Sequence, residues 1–206
     1  MIQNLLFDLG GVIMDIKKNN CVEAYKLLGF KDIQKFLDEY GQKGAFGDLE
    51  AGRISVDEFH AFVHQFVPEY VTDKEIDDAF MKFLIGIPVE RLRQLQLLRQ
   101  RYRLYLLSNT NPIMWDAKIA DEFRKDGLCR EAYFDGGVTS FEAKCMKPAP
   151  GIFHYAEQQL GIKPEETLFL DDSLANVQAA IDLGFRAAHV PDGKEFYDIL
   201  KELNLA

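Results

Sequence analysis

Near-continuous apolar runs recur along the chain at IQNLLF (2–7), RLYLLS (103–108), TLFLD (167–171) and RAAHV (186–190), with a weaker one at YFDGGV (133–138). Runs of this kind suit parallel strands covered on both faces. Helical patterns separate most of them. PVERLRQLQLLRQR (88–101) opens on proline and repeats leucine at helical spacing, PGIFHYAEQQLG (150–161) runs from proline to glycine, and SLANVQAAIDLG (173–184) has a serine start and a glycine stop. Strand and helix in alternation predict an α/β protein with a doubly wound parallel sheet.

The interval 16–85 breaks this alternation, because it holds helix-like segments and no convincing strand. SVDEFHAFVHQF (55–66) and TDKEIDDAFMKFL (72–84) each begin with a capping box, Ser55 with Glu58 and Thr72 with Glu75. The pattern predicts an α/β core formed by 1–15 and 86–206, with 16–85 inserted after the first strand as a small helical cap. A cap placed there sits over the carboxyl ends of the strands, where open α/β sheets bind their ligands.

Composition narrows the classes of partner. The 206 residues carry a formal net charge of −9, which argues against a nucleic-acid partner. Cys21, Cys129 and Cys145 are an odd number at no metal-ligand spacing, so neither a disulfide framework nor a zinc site is expected. Met1 leads straight into IQNLLFDLGG without a basic region and apolar core, and no apolar run approaches the roughly 20 residues of a membrane span. These features predict a soluble, cytoplasmic chain with no membrane partner; they leave its oligomeric state open.

Polar groups stand at or just past the strand ends: Asp8 in FDLGGVIMD, Ser108 and Asn109 in LLSNTN, Lys147 in MKPAP, and Asp171 and Asp172 in FLDDSLAN. Taken singly, each has an ordinary structural reading as a turn, a helix cap or a solvated loop. Strand ends of a parallel sheet converge on one edge, and that changes the weighing. Three neighbouring carboxylates repel one another unless a hard cation lies between them, and an oxygen-only donor set points to Mg²⁺. A lysine and a hydroxyl complete a cradle for a dianion, and a carboxylate so placed can serve as the nucleophile of phosphoryl transfer.

The ordered set FDLGGV, LLSNTN, KP and FLDDSLAN resembles the motifs of the haloacid dehalogenase (HAD) superfamily, and the resemblance spans the whole chain. It implies a Rossmann-like core and a Mg²⁺-dependent phosphatase acting on a small phosphorylated metabolite. Asp8 would be the nucleophile and a metal ligand, Ser108 and Asn109 would bind phosphate, and Lys147 would offset its charge. The Gly10 carbonyl and Asp172 would complete the metal site, with Asp171 as a supporting or alternative ligand and Asn176 orienting the site.

Most phosphatases of that superfamily carry a second aspartate, a general acid and base, two residues after the nucleophile; here that position is Gly10. Losing a positioned acid costs on the order of 10²- to 10⁴-fold in rate unless the leaving group departs readily. The gap favours activated esters such as sugar 1-phosphates, and DLGGV with LSNTN and KP resembles a bacterial subgroup that includes an α-D-glucose-1-phosphate phosphatase. Two alternatives stand beside this reading: a dehalogenase, which the acidic pair Asp171 and Asp172 argues against, and a non-catalytic binding protein. Asp15 reads as a hinge or turn residue, His60 and His64 as packed or solvated cap residues, Trp115 as core, and Glu50 and Arg53 as candidates for contact with substrate.

Overall fold

The computed structural model describes residues 1–37 and 42–206. Its centre is β1 (Asn4–Phe7), flanked on one side by β4 (Arg103–Ser108) and then β5 (Gly136–Thr139), and on the other by β6 (Thr167–Asp171) and then β7 (Arg186–His189). All four pairings are parallel. The two-residue period of a strand sends alternate side chains to opposite faces. Leu5 and Phe7 therefore join Leu104, Leu106, Leu168 and Leu170 in one core cluster, while Leu6, Tyr105, Leu107 and Phe169 belong to another. The helices Val89–Leu98 and Phe196–Glu202 seal the first cluster, and Pro150–Leu160 and Leu174–Asp182 seal the second.

The weak strand expected at 133–138 lies three residues later, at Gly136–Thr139. Tyr133 and Phe134 instead bury their rings beside Phe123, and the Asp135 carboxylate accepts hydrogen bonds from the Leu104 N–H (2.9 Å) and Arg99 (2.8 Å). A local apolar count cannot register that competition.

The inserted segment folds into α1 (Lys18–Leu27), α2 (Gly44–Glu50), α3 (Val56–Val63) and α4 (Asp73–Met81). Both capping boxes form, the N-cap side chain accepting from the N3 backbone and the N3 glutamate reaching back. Phe46 anchors the interior, with ring centroids 5.4 Å from Tyr25, 4.9 Å from Phe59 and 5.1 Å from Phe80, all edge to face. His60 and His64 pair with Asp77 (2.8 Å) and Asp73 (2.7 Å) of α4, which gives them a packing role.

One expectation fails at the two ends of the insert. β2 (Asp15–Ile16) pairs antiparallel with β3 (Leu84–Gly86), where the sequence showed no convincing strand. Elements this short carry no period to read. Arg91 secures the ribbon: it donates to Asp15 (2.7 Å), to the Ile13 carbonyl (3.0 Å) and, through a two-pronged contact, to Glu195 (2.7 and 2.9 Å). Asp15 thus holds the ribbon in place through an ion pair with Arg91. Among the described residues no helix is long and apolar enough to cross a membrane.

Candidate active site

Register builds the site. Phe7 lies level with Leu106 of β4 and Leu170 of β6, so one more step brings Asp8 and Asp171 side by side at the carboxyl edge. Lys147 reaches the same point from the loop after β5: its Nζ lies 2.8 Å from Asp8 Oδ1 and 2.7 Å from Asp171 Oδ2. The loop is pinned by a reciprocal pair in which Lys147 N–H donates to Asn109 Oδ1 (2.9 Å) and Asn109 Nδ2 donates to the Lys147 carbonyl (3.0 Å). Asn109, expected to bind phosphate, therefore spends its side-chain amide on holding Lys147 in place. Ser108 is buried and lines the cavity beside it.

The three charges are not equivalent. Asp171 is fully buried, with Oδ2 facing Lys147 and Oδ1 accepting from the Ser173 N–H (2.8 Å) and Asn176 Nδ2 (3.0 Å). Both of its oxygens are engaged, so it positions Lys147. Asp8 takes both the Leu9 N–H (2.7 Å) and Lys147 on Oδ1, which leaves Oδ2 for a ligand or an attack. Burial, opposed by Lys147 and reinforced by Asp171 and Asp172, raises its pKa to about 7. Asp172 is raised to about 6 by burial and by Asp171. Burial acts against the charge of Lys147, but Asp171 and Asp8 outweigh it and the pKa of the ammonium is raised.

One lysine thus faces three carboxylates whose oxygens lie within 4.8 Å of one another. With Asp171 occupied, Asp8 and Asp172 remain as hard anionic donors, a set that suits Mg²⁺. The backbone has been shaped for Asp172. Gly11 has φ +77°, and a Cβ there would fall 2.1 Å from Asp172 Oδ2, so glycine is required by both conformation and space. Gly10 is different: a Cβ would meet only Ile16 side-chain atoms, at 3.4 and 3.7 Å. A Cβ at position 10 is therefore not sterically excluded.

Asp8, Ser108, Lys147 and Asp172 line one cavity that holds about 690 Å³ of space, open solvent at its mouth included, within the ~300–1,000 Å³ of small-molecule sites. Glu50 lines it too, from the last position of α2; Arg53 does not, being paired with Asp48 at the surface. Ser140 was not legible beforehand. Its buried hydroxyl donates to the Glu50 carbonyl (2.6 Å), with the Thr110 carbonyl as an alternative acceptor at 3.1 Å, and accepts from the Thr110 N–H (3.0 Å), tying cap to core just beyond β4. No motif marked it, because its partners are main-chain atoms distant in sequence.

Known proteins share this architecture. The family model for haloacid dehalogenase-like hydrolases matches residues 2–184. A D-ribitol-5-phosphate phosphatase of Bacteroides thetaiotaomicron is 35% identical over 196 residues, 95% of each chain. A HAD family enzyme of the same species, crystallised with magnesium and inorganic phosphate, superposes with a TM-score of 0.90 at 36% identity, covering 97% of this chain and 99% of that one. A HAD-like family hydrolase from Porphyromonas gingivalis also gives 0.90 at 36% identity, over 99% and 98% of the two chains. With the family model matching residues 2–184, which hold every motif at the sheet edge, the chain belongs to the haloacid dehalogenase-like hydrolase family.

Proposed function

We propose that this chain is a Mg²⁺-dependent phosphatase that transfers the phosphoryl group of a small phosphometabolite to Asp8 and then to water. The observation that carries the reading is Lys147, fixed at 2.8 Å from Asp8 and 2.7 Å from Asp171 at the floor of a cavity that also presents Ser108 and Asp172. In this reading Asp8 Oδ2 attacks phosphorus in line with the departing ester oxygen and forms an aspartyl phosphate. The Ser108 hydroxyl and the Asn109 N–H hold phosphoryl oxygens, and Lys147 offsets their charge. Asp171 and Asn176 keep the lysine aimed. Asp8, the Gly10 carbonyl and Asp172 would hold Mg²⁺, which supplies charge neutralisation and favours the ionised form of both aspartates.

The relative named for D-ribitol 5-phosphate favours a terminal phosphate on a small polyhydroxylated chain. A second reading, a sugar 1-phosphate, is favoured by Gly10, because a good leaving group needs no acid at that position. Phosphate release from a panel containing both classes, with Mg²⁺ or with excess EDTA, tests the assignment. Turnover of at least one class with Mg²⁺ and none with EDTA is expected. Undiminished turnover in EDTA overturns the metal-dependent reading, and silence across the panel overturns the phosphatase.

A further inference from the structure

A terminal polyol phosphate leaves as a strongly basic alkoxide, and Gly10 offers it no proton. A donor has to come from elsewhere in the cavity. Among the described residues lining it, Asp8 and Asp172 are committed to phosphoryl group and cation, and Lys147 is held as an ammonium between two carboxylates. Glu50 is the remaining side chain there with an acidic proton to give, and it comes from the cap.

We propose that Glu50 is the general acid and base of this enzyme, standing in for the aspartate missing at position 10. The proposal rests on Asp8 as the nucleophile. As the bond from Asp8 to phosphorus forms and the bond to the ester oxygen breaks, the Glu50 proton passes to that oxygen, releasing alcohol and leaving a carboxylate. Water then attacks the aspartyl phosphate and gives a proton to Glu50, and the bond between Asp8 and phosphorus breaks to return free phosphate and the starting protonation states.

Two features fit Glu50 to this task. Its place in the cavity is set by backbone: the Ser140 hydroxyl holds its carbonyl at 2.6 Å, and Lys144 Nζ holds the Gly52 carbonyl two residues on at 2.7 Å. Gly52 itself lies so close to the core that a Cβ would meet the Phe141 carbonyl at 2.1 Å. This end of α2 is clamped to the same loops that carry the phosphate-binding residues, which is the fixed placement that proton transfer needs. Burial also pushes the Glu50 carboxyl up to about 8, so the group enters a neutral-pH turnover with its proton on.

The test compares wild type, Glu50→Gln and Glu50→Asp in single-turnover assays with D-ribitol 5-phosphate, whose leaving group is poor, and p-nitrophenyl phosphate, whose leaving group needs no proton. Glu50→Gln is expected to lower the rate of alcohol release in the first half-reaction by about 10²- to 10⁴-fold on the polyol phosphate and that of p-nitrophenolate release by less than about threefold, with Glu50→Asp regaining part of the loss. Equal losses on both esters, or a change confined to KM, overturn the proposal, since a structural or substrate-binding role does not follow the leaving group. Hydroxylamine trapping of the acyl phosphate from the aryl ester separates the two readings. Trapping in wild type with flat leaving-group dependence removes Glu50 alone, whereas no trapping in wild type removes the Asp8 nucleophile and this proposal with it. Unchanged circular dichroism and Tm establish that Glu50→Gln folds.

Discussion

The strand-end pocket of the core and the interior of the cap bury carboxyl groups in opposite ways. Asp171 is fully buried yet surrounded by Lys147, Asn176 and the Ser173 N–H. Glu50 is almost as buried, 7% exposed, at the edge of an interior made of Tyr25, Phe30, Phe46, Phe59 and Phe80 rings, and burial alone raises its pKa. Depth of burial therefore does not decide what a carboxyl meets: one is given a cation and donors, the other is surrounded by rings, and one functional group is placed in two environments.

The largest effect expected from breaking this arrangement is at Asp8. With Asp8 as the proposed nucleophile, Asp8→Asn should lower turnover by more than about 10³-fold, whereas Asp15→Asn, altered only at its ion pair with Arg91, should stay within about threefold. Steady-state rates on any accepted substrate check the pair, and comparable losses would place Asp15 in the chemistry. Lys147→Met comes next, as it leaves Asp8 and Asp171 buried without their cation. Stripping one partner from a buried ion pair costs about 3–5 kcal/mol, so urea unfolding at pH 8 should show a loss of that order. Part should return at pH 5, where a protonated carboxyl no longer needs the lysine. A loss of under about 1 kcal/mol would mean that water already screens the triad.

A smaller effect sharpens the contrast by moving the acid from cap to core. Gly10→Asp in the Glu50→Gln background should restore about tenfold or more of kcat on a poor leaving group, because the new Cβ meets only ordinary contacts with Ile16. No recovery, with Mg²⁺ affinity intact, would show that position 10 cannot reach the ester oxygen.

The smallest effect is on stability against pH. The Glu50 pKa rises from an ordinary 4.5 to about 8 on folding, so between those values the folded chain holds a proton the unfolded chain has released. Its contribution is full below the lower value and fades as pH climbs through the upper one. Glu50→Gln should therefore lose less Tm than wild type between pH 5 and pH 8. Asp8 and Asp172, also raised, slope the same way in both proteins and cancel in the comparison. Parallel slopes would show that Glu50 stays ionised.

Much of this was legible along the chain. The runs 103–108 and 167–171 are strands from end to end, because a buried parallel strand must be apolar on both faces and so announces itself. Ser55 and Thr72 marked helix starts because a capping box closes within four residues. That Asp8, Lys147 and Asp172 meet could be foreseen because topology sends strand ends to one edge. Of the two glycines after Asp8, however, the sequence drew attention to Gly10, while the geometry demands Gly11.

What lay beyond reach depends on atoms far apart in sequence meeting at a fixed distance. The Asn109 side-chain amide pins the Lys147 backbone; Ser140 fastens α2 to the core through main-chain carbonyls; and β2 meets β3 across the whole insert. None of these contacts has a local period or a required residue type. Local sequence thus determined the strands, the helix caps and the kinds of chemistry available, since each follows from the chain's own spacing. Only the tertiary structure decided which carboxyl meets a cation and which is buried without one, because a charge state depends on the neighbours that folding supplies.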